Sequence, residues 1–133
     1  MNKVIDNILI GRLIKLTRVT KSYSQGAVAF DCGYSHKATL SRIESGKIQI
    51  DLQKFQKICT SMKCNCSDIF LLAEYSVRFR LRINSWDDFI SSIIVMESED
   101  QKKLLLLVES IFPKKIMEIK SIIEETLQNQ AVK

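Results

Sequence analysis

Proline and glycine are scarce in this chain of 133 residues, with one proline and four glycines. A sheet protein needs turn residues more often than that, so the composition argues for helices. Histidine occurs once, at His36, which leaves no His-Glu-x-x-His zinc motif. There is no Walker loop, no dinucleotide fingerprint, and no serine or cysteine beside a plausible base. No enzyme, no catalytic residue and no cofactor are expected. The longest purely aliphatic run, Leu104 to Val108, is far short of a bilayer span, so no membrane association is expected. Residues 1–10 carry charge and no long apolar region, so no signal peptide is read there. The expectation is a cytoplasmic protein with reduced thiols.

The four cysteines are Cys32, Cys59, Cys64 and Cys66. Cys64-Asn65-Cys66 lacks the two intervening residues of a zinc hook, and no metal site is expected. Cys32 and Cys59 fall on apolar helix faces and read as small core residues. Asp87-Asp88 does not make a catalytic pair. Adjacent residues diverge on a helix, and these two follow Ser85, where acids favour a helix start.

The chain has the apolar content to build a core, at 46% hydrophobic. Its charge is uneven: residues 1–84 hold 14 Lys/Arg against 6 Asp/Glu, and residues 85–133 hold 6 against 9. A basic front and a mildly acidic rear suggest that only the front meets a polyanion.

Helical spacing marks five short helices in the front half. The first spans about Val4 to Thr20, with Ile10, Leu13, Ile14 and Leu16 inward. Ser24 caps a second, about Gln25 to Cys32, which Gly33 stops. Ser35 is read as the cap of a third, about His36 to Ser45, with Leu40 and Ile43 inward and Gly46 ending it. Asp51 caps a fourth over Leu52 to Met62, with Leu52, Phe55, Ile58, Cys59 and Met62 inward. Asn65 or Ser67 caps a fifth, ending near Glu74, with Ile69, Phe70 and Leu71 inward.

From Ser76 the period changes. Val77, Phe79, Leu81 and Ile83 alternate with Arg78, Arg80 and Arg82, the pattern of a half-buried strand, a linker or a helix extension. Helical spacing returns from Ser85. One stripe holds Trp86, Phe89, Ile90, Ile93 and Ile94, and a second holds Leu104 to Val108, Ile111 and Phe112. Pro113 is read as starting a last helix. The expected organisation is a domain over 1–75, a basic linker or short strand over 76–84, and a helical region over 85–133.

The sharpest signal is Ser24-Gln25-Gly26-Ala27-Val28-Ala29-Phe30-Asp31-Cys32-Gly33, followed by Thr39-Leu40-Ser41-Arg42-Ile43-Glu44-Ser45-Gly46-Lys47. A Ser-Gln pair opens a short helix, a small alanine lets the next helix cross closely, and glycines close both. This resembles the Cro/CI-type, or XRE, family of lambda-repressor-like helix-turn-helix regulators. The resemblance extends from Ile10-Gly11 through Arg18 to Ser67-Asp68-Ile69-Phe70. It implies an all-α fold, a five-helix DNA-binding domain followed by a helical tail.

The resemblance also implies roles. The second helix of the motif lies in the major groove of double-stranded DNA, which places Lys37, Ala38, Ser41 and Arg42 on the groove side. Their four-residue spacing, opposite Leu40 and Ile43, independently puts them on one face. Arg42 or Lys37 suits guanine O6 and N7. Thr39 and Ser41 suit phosphate or weak base contacts. Gln25 matches a phosphate-holding residue, with free backbone N–H groups beside it, and Lys47 should meet backbone phosphate. Arg18 and Glu44 match a structural salt bridge.

One departure matters. From Gly33 to Glu44 there are eleven steps where the family has ten. Counting back from Glu44 gives the positions above, while counting forward from Gly33 shifts them by one and brings Tyr34, Ser35 and His36 into the contact set.

A domain of this kind covers one half-site, and two-fold dimers read two. The apolar stripes of 77–129 exceed what a short tail can bury alone, which points to a homodimer through the tail; packing on the front domain is the other outcome. The expected function is sequence-specific repression of transcription. The alternative is an antitoxin or anti-regulator whose tail binds another protein. No small-molecule partner is evident.

Overall fold

Asp6 starts the first helix by accepting the Leu9 N–H at 2.8 Å, which satisfies one of the unpaired amides of the first turn. The computed structural model describes residues 5–131, among which there are eight helices and no strand. They are α1 (Asn7–Thr20), α2 (Gln25–Asp31), α3 (Lys37–Glu44), α4 (Leu52–Ser61), α5 (Cys66–Phe79), α6 (Trp86–Ile94), α7 (Ser98–Ile111) and α8 (Ile116–Ala131). Thus α1 begins at Asn7, and the expected start at Val4 lies outside the described residues. Ser24, Asp51 and Ser85 cap α2, α4 and α6 by accepting the N–H groups of Ala27, Lys54 and Asp88.

The first five helices stop in the same way. At each C-terminus an N–H reaches back five residues to a carbonyl: Tyr23 to Arg18, Tyr34 to Ala29, Lys47 to Arg42, Cys64 to Cys59, and Leu81 to Ser76, at 2.9–3.0 Å. The residue before each of these donors is left-handed, namely Ser22, Gly33, Gly46, Lys63 and Arg80. This is the Schellman stop, which usually takes glycine at the left-handed position. Three of the five do without it. An L-residue there costs roughly 1–2 kcal/mol, of which glycine's extra chain entropy gives back about 0.5–1 kcal/mol. Arg80→Gly, on an exposed side chain, should therefore raise stability by about 0.5–1 kcal/mol. Urea denaturation measures this, and a loss of stability would show that the Arg80 side chain contributes more than its backbone strain takes away.

Of the three readings of Val77–Ile83, helix extension and linker hold and the strand does not. Helix α5 runs on to Phe79, with Tyr75 stacked on Phe79 at 5.8 Å and Ser76 Oγ donating to the Leu72 carbonyl. After Arg80 the chain lies extended on the core, burying Leu81 and Ile83 and exposing Arg82. The Arg82 N–H donates to Ser92 Oγ on α6 at 2.9 Å. The alternation is thus real burial, without a partner strand.

The inward face of α5 also differs from expectation. Ile69, Leu72 and Ala73 are buried, while Phe70 and Leu71 are exposed, as is Leu52 at the start of α4. The last helix begins at Ile116, after a turn at Pro113–Lys115, rather than at Pro113.

The rear helices bury their stripes against the front of the same chain. Helix α7 packs on α5, and α8 packs on α6 and α7. Phe89, Ile93, Leu104, Val108, Ile111, Phe112 and Ile119 join Leu13, Ile14, Leu40, Ile58 and Ile69 in one continuous core. Trp86 fastens the junction. Its indole N–H donates to Thr20 Oγ1 at the end of α1 at 2.6 Å, and its ring meets Phe89 and Phe112 edge-on. Ser110 Oγ donates to Asp68 at 2.9 Å. Apart from Leu106, the tail stripes are therefore covered within one chain, and their mere presence does not require a second copy.

Candidate nucleic-acid interface

Helix α3 is amphipathic in the simplest sense. Leu40, Ile43 and Glu44 are buried, Thr39 is half-buried, and Lys37, Ala38, Ser41 and Arg42 are exposed on the opposite side. Among the described residues no carboxylate pairs with Lys37, Arg42 or Lys47. The face therefore presents cations and small polar groups to solvent, next to a positive half of the chain. Ser45, also exposed, continues this face, with its hydroxyl turned back to the Arg42 carbonyl at 3.1 Å. It lies four residues after Ser41, a spacing in the sequence that would have found it.

Three anchors hold α3 in place. The first is contact with α1 at Gly11, where a Cβ atom would stand 2.4 Å from the Ile43 carbonyl oxygen and 2.6 Å from that of Glu44. Only a hydrogen on Gly11 lets α3 come that close. The second anchor is Glu44. Its Oε2 accepts Arg18 Nε at 2.6 Å and its Oε1 accepts Arg18 Nη2 at 3.1 Å, a two-pronged pair with both side chains buried. Arg18 Nη1 also donates to the Tyr23 carbonyl at 2.9 Å. The third anchor is Gln25 at the start of α2, whose Nε2 donates to Glu44 Oε1 at 3.0 Å. Gln25 is thus half-buried and tied to Glu44 through its amide nitrogen. Sequence spacing gave no sign of this link, because it joins residues nineteen positions apart.

The longer turn is absorbed before α3, not within it. His36, not Ser35, occupies the N-cap position, and its side chain makes no capping bond. Ser35 and His36 are exposed at the front of α3, and Lys37 is its first residue. Tyr34 is half-buried and packs against the core. Burial, aided by the neighbouring Cys32 and Asp51, pushes its hydroxyl pKa up. That Oη is buried with no hydrogen-bond partner among the described residues, a cost accepted to keep the ring in the turn. Past Gly46, which is left-handed, Lys47 is exposed.

No group of three or more His, Cys, Asp or Glu side chains among the described residues is placed to hold a metal ion. No described helix is long and apolar enough to cross a membrane.

Residues 14–69 match the family model described as Helix-turn-helix. The match begins within α1 and ends in the first turn of α5, so it takes in α2, α3, the turn between them and the Arg18–Glu44 pair. Neither the curated proteins nor the solved structures contain a match to the chain. Over residues 14–69 the chain is similar to the helix-turn-helix domain of Cro/CI-type, or XRE, DNA-binding transcription regulators.

Proposed function

We propose that the protein is a sequence-specific regulator, acting as a repressor, that places α3 in the major groove of double-stranded DNA and binds as a homodimer. The observation that carries this reading is the exposed, carboxylate-free face of Lys37, Ala38, Ser41 and Arg42, backed by a buried ion pair that fixes the helix beneath it. Arg42 and Lys37 offer donors to guanine edges. Ala38 leaves room for a thymine methyl. Thr39, Ser41, Ser35, His36 and Lys47 sit where the sugar-phosphate walls would pass. Gln25 takes part by orienting Glu44 and, through its second amide proton, reaching a phosphate. For the second copy, the support lies in the exposed Leu106 and Met117 on α7 and α8, which the chain's own core leaves uncovered.

Footprinting of the purified protein on DNA upstream of its own gene tests the reading. Arg42→Ala and Lys37→Ala should each weaken specific binding by about 1–3 kcal/mol, and a bidentate contact should also relax discrimination at one base pair. Binding should fall steeply with salt, as phosphate contacts release counterions. If both variants keep wild-type specific affinity, α3 is not the reading element. Sedimentation at tens of micromolar should give a dimer, and a monomer there would remove the two-fold part of the proposal.

A further inference from the structure

The four cysteines gather around the end of α4. Cys32 and Cys59 are buried, Cys64 and Cys66 are half-buried, and the other three lie near enough to Cys59 to help push its pKa up. Two of them are brought together by the backbone. Lys63 is left-handed, and the Cys64 N–H donates to the Cys59 carbonyl at 3.0 Å. In this kind of helix stop the first residue of the closing turn and the second residue beyond it normally share an apolar contact. Here the two positions are both cysteine. Cys64 Sγ donates to the Cys59 carbonyl oxygen at 3.6 Å, which turns its side chain back toward Cys59. With standard bond lengths, the backbone bond alone caps the Cα separation at about 7 Å. Disulfides span Cα separations of roughly 4.4–6.8 Å. The backbone thus brings the pair to about bridging reach.

We propose that Cys59 and Cys64 form a peroxide-responsive dithiol, in which Cys64 reacts with a hydroperoxide and Cys59 resolves it as an intramolecular disulfide. The Cys64 thiolate attacks the outer peroxide oxygen. An S–O bond forms, the O–O bond breaks, and the remaining alkoxide or hydroxide leaves as an alcohol or water after taking up a proton. Cys59 sulfur then attacks Cys64 Sγ. The S–S bond forms, the S–O bond breaks, and the departing hydroxide takes the Cys59 proton to become water. Two thiols lose two electrons in total, and one hydroperoxide gains them.

The division of roles follows from position. Cys59 is 1% exposed and cannot meet a solute first, whereas Cys64 is open to solvent on one side. The neighbouring Cys59 thiol, helped by the nearby Lys21, holds the Cys64 thiol below its ordinary pKa, against the opposing effects of burial and Asp68. The neighbouring Cys64, together with burial, pushes the Cys59 thiol up. A lowered, accessible thiol is the one that reacts. The other supplies the sulfur that traps the sulfenic acid.

The test treats the full-length reduced protein with equimolar hydrogen peroxide, alkylates the remaining thiols and maps the peptides. The expected product links Cys59 to Cys64 and leaves Cys32 and Cys66 alkylated. Cys64→Ser should slow peroxide consumption by about tenfold or more. Cys59→Ser should leave a sulfenic acid on Cys64 that a cyclic 1,3-dione captures. Cys66→Ser should leave the linkage intact. A linkage through Cys66 or Cys32, over-oxidation of Cys64 without any disulfide, or unchanged consumption in Cys64→Ser would each overturn the proposal. Mapping of the unmutated protein decides the connectivity even if a serine at the buried position 59 disturbs the fold.

Discussion

Gly11→Ala should cost about 3 kcal/mol or more of folding stability, through one added methyl group. Overpacking usually costs about 1–3 kcal/mol, because side chains can turn away from the intruding atoms. At Gly11 there is nothing to turn away. The new Cβ would meet the backbone carbonyls of Ile43 and Glu44 at 2.4 and 2.6 Å. Relief requires α1 and α3 to separate, and that opens the contact among Leu13, Ile14, Leu40 and Ile43 at the centre of the front core. Gly26→Ala supplies the control. A Cβ there approaches nothing closer than Ser24 Oγ at 4.0 Å, so alanine should be neutral or stabilising by about 0.5–1 kcal/mol, as expected for glycine in a helix. Urea denaturation of the two variants settles the comparison. A Gly11→Ala protein within 1 kcal/mol of the parent would mean that α1 and α3 do not pack as described.

Glu44→Ala should be the costliest change among the charged residues, by about 3–5 kcal/mol. The loss is not simply that of an attraction. Removing the carboxylate leaves the Arg18 guanidinium buried without its partner, and leaves the Gln25 amide without its acceptor. The burial of a lone charge is what makes breaking such pairs severe, whereas replacing both partners by apolar groups is often neutral or better. Arg18→Met with Glu44→Leu should accordingly recover most of the stability lost in Glu44→Ala. Thermal unfolding at one pH measures both, and a double variant no better than the single one would show that the pair is worth more than its desolvation. The double variant should still bind DNA less well, since Gln25 and the end of α3 lose their shared anchor.

Much of the fold could be read from residues that act locally. Ser24 and Asp51 announce helix starts by their own side-chain chemistry, and Gly33 and Gly46 announce stops because the left-handed backbone suits them. Ser22, Lys63 and Arg80 occupy the same backbone state with no such signature, so the sequence ends α5 near Glu74 instead of Phe79 and leaves strand, linker and helix extension all open after Ser76. Phe70 and Leu71 illustrate another limit, since hydrophobicity does not say which of three adjacent apolar residues faces inward. The exposed face of α3 was legible because exposure there follows helical spacing. The inward tie of Gln25 was not, because it depends on how α2 crosses α3. The tail's apolar stripes were visible, but their partner was not: a stripe records that something covers it, not whether that is the same chain or another.

The fastening at Trp86 bears on the DNA that such a protein can recognise. Helix α1 grips α3 through Gly11 and Arg18 at one place and takes the indole of Trp86 at Thr20 at another. Helix α3 and the tail are thus packed on one continuous core, joined through α1. A pair of such chains joined at their tails would hold its two reading helices at a set distance and phase, instead of sweeping the range that a flexible connection permits. Such an assembly would measure DNA as a caliper does, rejecting half-sites moved by a base pair or two even when every base within them is right.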